Sequence, residues 1–200
     1  MRPIVYCILR TGGEYRREHV ERLRKQIVDC DLVCISDDPE AADLPMLARW
    51  PGWWAKMELF NPAIAGDVFA MDLDTTVLGR VGHYATAGAT TFLSDFYRPE
   101  HIQSSMMYLS EKNRRAIWEQ WSARPEGWIA EYSKRRVGFN GDQNFIEDVI
   151  GPGCARWQQL YPGEVISYKL DIIKPKRATV PPLANVIIFH GRPRPWSVGL

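Results

Sequence analysis

The sequence VFAMDLDTTVLG, residues 68–79, decides the fold of this chain. Residues 67–71 are mostly apolar and predict a short buried strand. Two acids follow it, Asp72 and Asp74, and their side chains share one face because strand residues i and i+2 point the same way. Ligands of open α/β sheets bind just beyond the carboxyl ends of the strands. We therefore expect an α/β sheet with a binding site at these two acids.

The N-terminal part of the chain predicts a strand–helix–strand unit. Residues 3–9 and 32–36 are short, apolar and rich in β-branched side chains, as buried strands are. The segment between them, 14–30, has a helical spacing of apolar residues opposite a charged face. These apolar residues are Val20, Leu23, Ile27 and Val28. Two strands joined by a helical crossover pair in parallel, so the sheet begins as a parallel one.

The remaining segments predict a single α/β domain over residues 1–200, with a mixed, mostly parallel Rossmann-like sheet flanked by helices. We expect a loop over 37–51 and a helix over 52–62 that turns Trp53, Met57 and Phe60 to one face. Further strands are expected at 90–96, 104–110, 165–170 and 185–189. Further helices are expected at 111–121 and 141–150.

Composition and charge exclude several classes of protein. With 25 basic and 24 acidic residues, the net charge of +1 gives no reason to expect a nucleic-acid partner. The apolar run of residues 4–9 is too short for a signal peptide, and no run approaches the roughly 18 residues that span a bilayer. The four cysteines have no zinc-site spacing, which favours free thiols in a reducing compartment. We therefore expect a soluble cytoplasmic protein; its oligomeric state is not readable from the sequence.

Two chemistries would suit a pair of carboxylates at the end of a buried strand. They can hold a hard divalent ion such as Mg²⁺ or Mn²⁺, which usually bridges to phosphate oxygens. Alternatively, one of them can attack a phosphate as a nucleophile. A third interpretation is a solvated turn that carries two acids and no chemistry.

The nucleophile interpretation is supported by a local resemblance. The sequence DLDTTV, residues 72–77, resembles the first motif of the haloacid dehalogenase-like phosphatases. That resemblance implies Asp72 as nucleophile and Asp74 as general acid, with further acids supplied by GDQNFIED, residues 141–148. In those phosphatases the motif follows the first strand, whereas here two predicted strands and two predicted helices come before it.

A second resemblance is distributed along residues 53–196. The segment 53–79 has a helix with a basic residue, Lys56, followed by an apolar strand and the Asp-x-Asp pair. Gly-Asp-Gln at 141–143 opens a helix, and HGRPRPW at 190–196 has the form His, Gly-x-x-basic-Pro-Trp. In this order, these motifs resemble the GT-A-fold glycosyltransferases, closest to the retaining family-8, glycogenin-like group. We favour this distributed match over the local one.

The resemblance implies transfer of a sugar from a nucleoside diphosphate sugar, with a UDP-sugar favoured, and with retention of configuration. It implies a divalent metal, Mn²⁺ or Mg²⁺, held by Asp72, Asp74 and His190, with Mn²⁺ favoured by the imidazole. The residues implied to contact the donor are Tyr15 on the base, Asp72 on the ribose side, Lys56 and Arg194 on the diphosphate beside Gly191, and Gln103 and Ser104 on the sugar. Asp142 and Gln143 would lie at the reacting carbon as the catalytic residues.

The chain departs from the family pattern in two places. His190 directly precedes Gly191, whereas the family's histidine usually stands three residues before that glycine. Gln103-Ser104-Ser105 replaces an Asn–small–Gly sequence. Because of these departures, an inactive nucleotide-sugar-binding domain stays an alternative interpretation. The acceptor is not identified by the sequence; residues 111–138, with Trp118, Trp121 and Trp128, and the C-terminal tail are where its specificity is expected.

Overall fold

A computed structural model describes residues 2–134, 141–151 and 153–200. Residues 135–138 of the segment expected to bind the acceptor lie outside the described residues. The strands are β1 (Ile4–Leu9), β2 (Asp31–Ser36), β3 (Leu44–Pro45), β4 (Val68–Met71), β5 (Thr75–Val77), β6 (Thr91–Ser94), β7 (Ile102–Leu109), β8 (Ala155–Arg156), β9 (Val165–Ser167) and β10 (Val186–Ile188). The α-helices are α1 (Arg17–Gln26), α2 (Glu111–Ser122), α3 (Pro125–Tyr132), α4 (Asp142–Ile150) and α5 (Trp157–Leu160). Tighter 3-10 helices span Gly52–Phe60, Tyr84–Thr86 and Pro195–Ser197, and a π-helix spans Tyr168–Ile173.

The strands form two sheets. The larger one has seven strands in the order β3-β2-β1-β4-β7-β6-β8. Strand β1 pairs in parallel with β2 and with β4, and β7 runs antiparallel between β4 and β6. The smaller sheet has the order β5-β10-β9. The prediction of a mixed, mostly parallel sheet flanked by helices is confirmed.

Helices cover both faces of the large sheet because its strands alternate their side chains between two cores. Val5, Cys7 and Leu9 of β1 pack in the cluster that includes the apolar face of α1. Tyr6 and Ile8 point the other way, into the cluster formed with the 3-10 helix Gly52–Phe60, α2 and α4. This layering places the carboxyl ends of β1 and β4 side by side at one edge of the sheet.

Four expectations about local structure need correction, and the first three concern residues 37–62. The segment 37–51 includes the short strand β3, which extends the sheet beside β2. The helix predicted over 52–62 is a 3-10 helix with about three residues per turn, so Trp54, Met57 and Phe60 share the buried face. Trp53 is 58% exposed instead of buried with them.

The strand predicted over 165–170 ends at Ser167. The hydroxyl of Ser167 accepts a hydrogen bond from the backbone N–H of Leu170 at 3.0 Å, and its own N–H donates to the Asp171 carboxylate at 2.7 Å. These two bonds start the π-helix Tyr168–Ile173, because a serine hydroxyl offers the backbone an alternative to the strand ladder.

The described cysteines are free, as expected, and three of the four are buried. Over the part of the chain that the structure describes, no helix is both long and apolar enough to cross a membrane. The assignment of residues 1–200 to one domain stays a prediction.

Candidate active site

The turn that carries Asp72 and Asp74 is fixed by backbone contacts on both sides. The N–H of Asp72 donates to the carbonyl of Ser105 on β7 at 2.8 Å, which holds the end of β4 in the large sheet. From α1, Arg22 donates to the carbonyls of Leu73 at 2.7 Å and Thr75 at 2.8 Å. The two acids therefore lie at a defined position beyond the carboxyl end of a buried strand.

Lys56 is surrounded by acceptors. Its Nζ lies 2.9 Å from Asp72 Oδ1, 3.1 Å from Ser104 Oγ and 3.6 Å from Asp142 Oδ2. Burial by itself lowers the pKa of Lys56, but the Asp72 and Asp142 carboxylates outweigh it and hold the pKa above its ordinary value. The lysine is therefore charged, and it joins the end of β4 to β7 and to the start of α4.

Asp74 has a different set of partners. It is 5% exposed, and its Oδ2 accepts hydrogen bonds from the Tyr15 hydroxyl at 3.1 Å and from Arg194. The guanidinium of Arg194 also binds Glu14, with Nε 3.0 Å from Glu14 Oε1. Burial and the nearby Asp72 raise the pKa of Asp74 to about 6, although Arg194 opposes that shift. The C-terminal segment is thereby attached to the loop after β1.

The first turn of α4 supplies the two residues expected at the reacting carbon. Asp142 is buried, and Ser104 Oγ donates to its carboxylate at 3.3 Å. The backbone N–H of Ser104 donates to Gln143 Oε1 at 3.3 Å. Burial raises the pKa of Asp142, and the nearby Lys56 opposes the shift. Gly141 precedes this turn at φ +94°, a conformation that favours glycine, and a Cβ there would lie 3.1 Å from Trp53 Nε1.

Two adjoining cavities meet at Trp53, Lys56 and Asp72. The larger, about 590 Å³, is lined by the loop after β1, by the start of the 3-10 helix Gly52–Phe60 and by Arg194. The smaller, about 310 Å³, is lined by β7, by the first turn of α4 and by Arg98. Trp53 and Lys56 face the cavities together because residues i and i+3 are eclipsed on a 3-10 helix. A further cavity of about 750 Å³ runs along α1, and its described lining includes neither Asp72 nor Asp142.

The metal ligands expected from the resemblance are not assembled as a set. His190 binds other residues than the two aspartates. Its Nε2 lies 2.6 Å from Ser167 Oγ, and its ring stacks on Phe96. Burial, followed by the charge of Lys169, lowers the pKa of His190. Within residues 2–134, 141–151 and 153–200, no three His, Cys, Asp or Glu side chains are grouped so that they could hold a metal ion. As arranged, the residues do not fit the expected metal.

The other residues expected to contact the donor lie in different places, some along the smaller cavity and some along the larger one. Ser104 and Gln103 line the smaller cavity, and Gln103 Oε1 also accepts from the N–H of Ser105 at 3.0 Å. Tyr15 lines the larger cavity, and the guanidinium of Arg194 lies 5.3 Å from its ring centre. Gly191, at φ +86°, lies beside Lys169, and the described lining of the two cavities does not include it. The functional roles of all these residues stay predictions.

Three residues of the site were missed by the sequence reasoning. Glu14 and Arg98 belong to none of the sequence motifs, and only their charge could have indicated them. Trp53 was grouped with Met57 and Phe60 on one helix face because apolar spacing does not distinguish a 3-10 helix from an α-helix over nine residues. Of the tryptophans considered for acceptor binding, Trp121 is fully buried and stacks on Trp54. Trp118 and Trp128 are partly buried against the same core.

Several solved glycosyltransferases are similar to this chain in structure. The glycosyltransferase GlyE of Streptococcus pneumoniae TIGR4 aligns with a TM-score of 0.62 at 12% identity, over 98% of this chain and 56% of GlyE. The galactosyltransferase LgtC, solved with donor and acceptor sugar analogues, aligns with a TM-score of 0.62 at 12% identity, over 96% of this chain and 89% of LgtC. The bifunctional glycosyltransferase WbbM aligns with a TM-score of 0.56 at 11% identity, over 98% of this chain and 46% of WbbM.

These likenesses confirm the expected GT-A-like fold. This chain spans about half the length of GlyE and of WbbM, with 56% and 46% of those chains covered. By sequence, no family profile and no curated protein matches the chain.

Proposed function

We propose that this protein is a glycosyltransferase that moves a sugar from a nucleoside diphosphate sugar to an acceptor. The observation that carries the proposal is the pair of cavities that meet at Lys56 and Asp72, beyond the carboxyl ends of β1 and β4. Nucleotide ligands of α/β sheets bind in this place. A volume of about 590 Å³ suits the nucleotide and the adjoining 310 Å³ suits the sugar, since ligand pockets measure roughly 300–1,000 Å³.

Each side of the paired cavity has the chemistry that such a donor needs. In the larger cavity, Tyr15 offers an aromatic ring to the base, and Arg194 offers positive charge to the diphosphate. In the smaller one, Gln143 and Asp142 offer an amide and a carboxyl group to sugar hydroxyls. When the bond between sugar and diphosphate breaks, negative charge grows on the leaving diphosphate. Fixed positive charge beside it lowers the barrier because it needs no rearrangement during the reaction.

The finer parts of the proposal come from the resemblance to the retaining group. We propose uracil as the base and retention of the anomeric configuration. Asp142 and Gln143 are the residues proposed at the reacting carbon, beside the donor in the smaller cavity. A manganese or magnesium ion stays a prediction of the same resemblance, and no step of this proposal passes through it.

Release of UDP from a panel of UDP-sugars tests the proposal even without an acceptor, because transferases commonly hydrolyse their donor slowly. We expect turnover of at least one UDP-sugar, and we expect the sugar first released to keep the anomeric configuration of the donor by NMR. Asp142→Asn should lower this rate about 100-fold or more, since it removes the carboxyl group proposed at the reacting carbon.

A matched control is available on the same helix. Asp148→Asn makes the same chemical change at an exposed residue whose carboxylate accepts from the Tyr132 hydroxyl at 2.6 Å, and it should leave the rate within about twofold. Binding of a nucleotide without any turnover would favour an inactive nucleotide-sugar-binding domain. Hydrolysis of a phosphomonoester that is lost in Asp72→Asn would favour the phosphatase alternative instead.

A further inference from the structure

Asp74 lies behind Arg194 when viewed from the larger cavity. Arg194 is among the residues that line that cavity, whereas the described lining of both adjoining cavities does not include Asp74. The Asp74 carboxylate, 5% exposed, accepts from Arg194 and from the Tyr15 hydroxyl at 3.1 Å. A ligand in the cavity therefore meets the guanidinium before it meets the carboxylate.

Two carboxylates hold Arg194 in one orientation. Its Nε and Nη2 donate to Glu14 Oε1, and its Nη1 donates to Asp74 Oδ2. A guanidinium has five N–H groups in a fixed plane. Three are used here, which leaves two without a partner among residues 2–134, 141–151 and 153–200. The N–H groups of a guanidinium can donate to the oxygens of a phosphate.

The other cations of the cavity have partners of their own. Lys56 has three protons, and its nitrogen is in contact with Asp72, Ser104 and Asp142. Arg10 is paired with Asp37 and donates to the backbone carbonyls of Trp50 and Thr11. Among the described cations that line the larger cavity, Arg194 is the one bound to Asp74, at the turn after β4.

A divalent ion on Asp74 conflicts with these contacts. Arg194 and Tyr15 both donate to Asp74 Oδ2, so the ion would lie beside a guanidinium of like charge. His190 would have to leave Ser167 Oγ, at 2.6 Å, and the ring of Phe96, which is costly unless new bonds replace these contacts. The side-chain contacts at the end of β4 thus fit an arginine better than a metal.

We propose that Asp74 and Glu14 are positioning residues that aim Arg194 at the diphosphate of the donor, and that this guanidinium takes the part of the divalent metal. This inference rests on the proposed function, since it assigns the charge that meets the donor in the same site. It follows that the protein binds a nucleoside diphosphate equally well with and without a divalent metal.

Calorimetric titration of UDP and of GDP, in EDTA and then in Mn²⁺, tests the inference. We expect one of the two nucleotides to bind with dissociation constants that agree within about threefold between the two conditions. Arg194→Gln should weaken that binding about 10- to 100-fold in both, the range for a hydrogen bond to a charged group. Arg192→Gln removes the same charge from an exposed neighbour 3.6 Å from Glu14 and should change binding less than about twofold.

Asp74→Asn distinguishes a positioning role of Asp74 from a metal-binding role. If it positions Arg194, the variant keeps a carbonyl acceptor for the guanidinium, so binding weakens less than about tenfold and stays independent of Mn²⁺. Binding that requires Mn²⁺ and disappears in Asp74→Asn would overturn the inference while leaving the glycosyltransferase proposal intact. Failure of both nucleotides to bind in either condition would overturn the two proposals together. Thermal unfolding of each variant identifies any that fails to fold.

Discussion

Replacing Lys56 with methionine removes one charge while keeping a side chain of similar length. In the folded protein, the ammonium group compensates Asp72 at 2.9 Å and Asp142 at 3.6 Å, and Lys56 and Asp142 are both largely buried. Removing one partner of a buried ion pair costs about 3–5 kcal/mol, because the remaining charge stays buried without compensation. The Asp72 side chain is 31% exposed and can regain water, so the lower end, about 3 kcal/mol, is expected.

The loss of unfolding free energy in Lys56→Met should depend on pH, and the titration of Asp142 determines whether it grows or shrinks as the pH rises. Burial raises the pKa of Asp142 in the folded protein above its unfolded value. The folded state therefore holds this proton more tightly, and the contribution of Asp142 to stability falls as the pH rises through its folded pKa. Without Lys56 that pKa rises further. The loss of unfolding free energy in Lys56→Met should consequently be larger at pH 7 than at pH 5.

Urea unfolding followed by tryptophan fluorescence measures this loss, and thermal unfolding should show a drop in Tm of roughly 6–12 °C, at about 2–4 °C per kcal/mol for a chain of this size. Adding Asp142→Asn to Lys56→Met should restore part of the stability, because it removes the buried charge. Lys112→Met, at an exposed position on α2, serves as the control and should change stability by less than about 0.5 kcal/mol. A loss below about 1 kcal/mol in Lys56→Met, or an equal loss at both pH values, would refute this reasoning.

Three further predictions concern residues around the site. Arg114→Met should lower the unfolding free energy by about 3 kcal/mol or more in urea, because this fully buried arginine donates to several backbone carbonyls between residues 60 and 66; an unchanged urea midpoint would contradict this. Gly141→Ala should lower the unfolding free energy by about 1–3 kcal/mol in the same assay, because φ of +94° strains an alanine and its Cβ would contact Trp53. An unchanged unfolding free energy would contradict this strain. Trp53→Ala should leave stability within about 0.5 kcal/mol, since Trp53 is 58% exposed, yet lower donor turnover several-fold; equal turnover would remove Trp53 from the site.

Much of the fold could be predicted because its signals are local. Short apolar runs rich in β-branched residues predicted β1 and β2, a helical apolar period predicted α1, and the apolar run before Asp72 predicted β4. The predicted strand over 165–170 was too long because one hydroxyl group, that of Ser167, redirects the backbone. A side-chain bond of that kind leaves no trace in hydropathy.

The candidate site was predictable in its composition but only partly in its contacts. The family resemblance implied Lys56 and Asp72 as neighbours of a donor, and the structure brings them within 2.9 Å of each other. The resemblance did not indicate that Arg194 would bind Asp74, or that His190 would bind Ser167. Those pairs join segments 120 and 23 residues apart, so they depend on tertiary contacts that local sequence patterns do not encode.

The tripeptide Asp72-Leu73-Asp74 is also the covalent link between two separate hydrogen-bonded ladders, since β4 belongs to the seven-stranded sheet and β5 to the three-stranded one. Ladders that share no strand can open independently, and deuterium uptake would then report two cooperative units with different protection. A nucleotide that touches Lys56 on one side and Arg194 on the other would tie these units together. Its binding would slow amide exchange in β9 and β10, strands whose residues do not line the cavity that it fills.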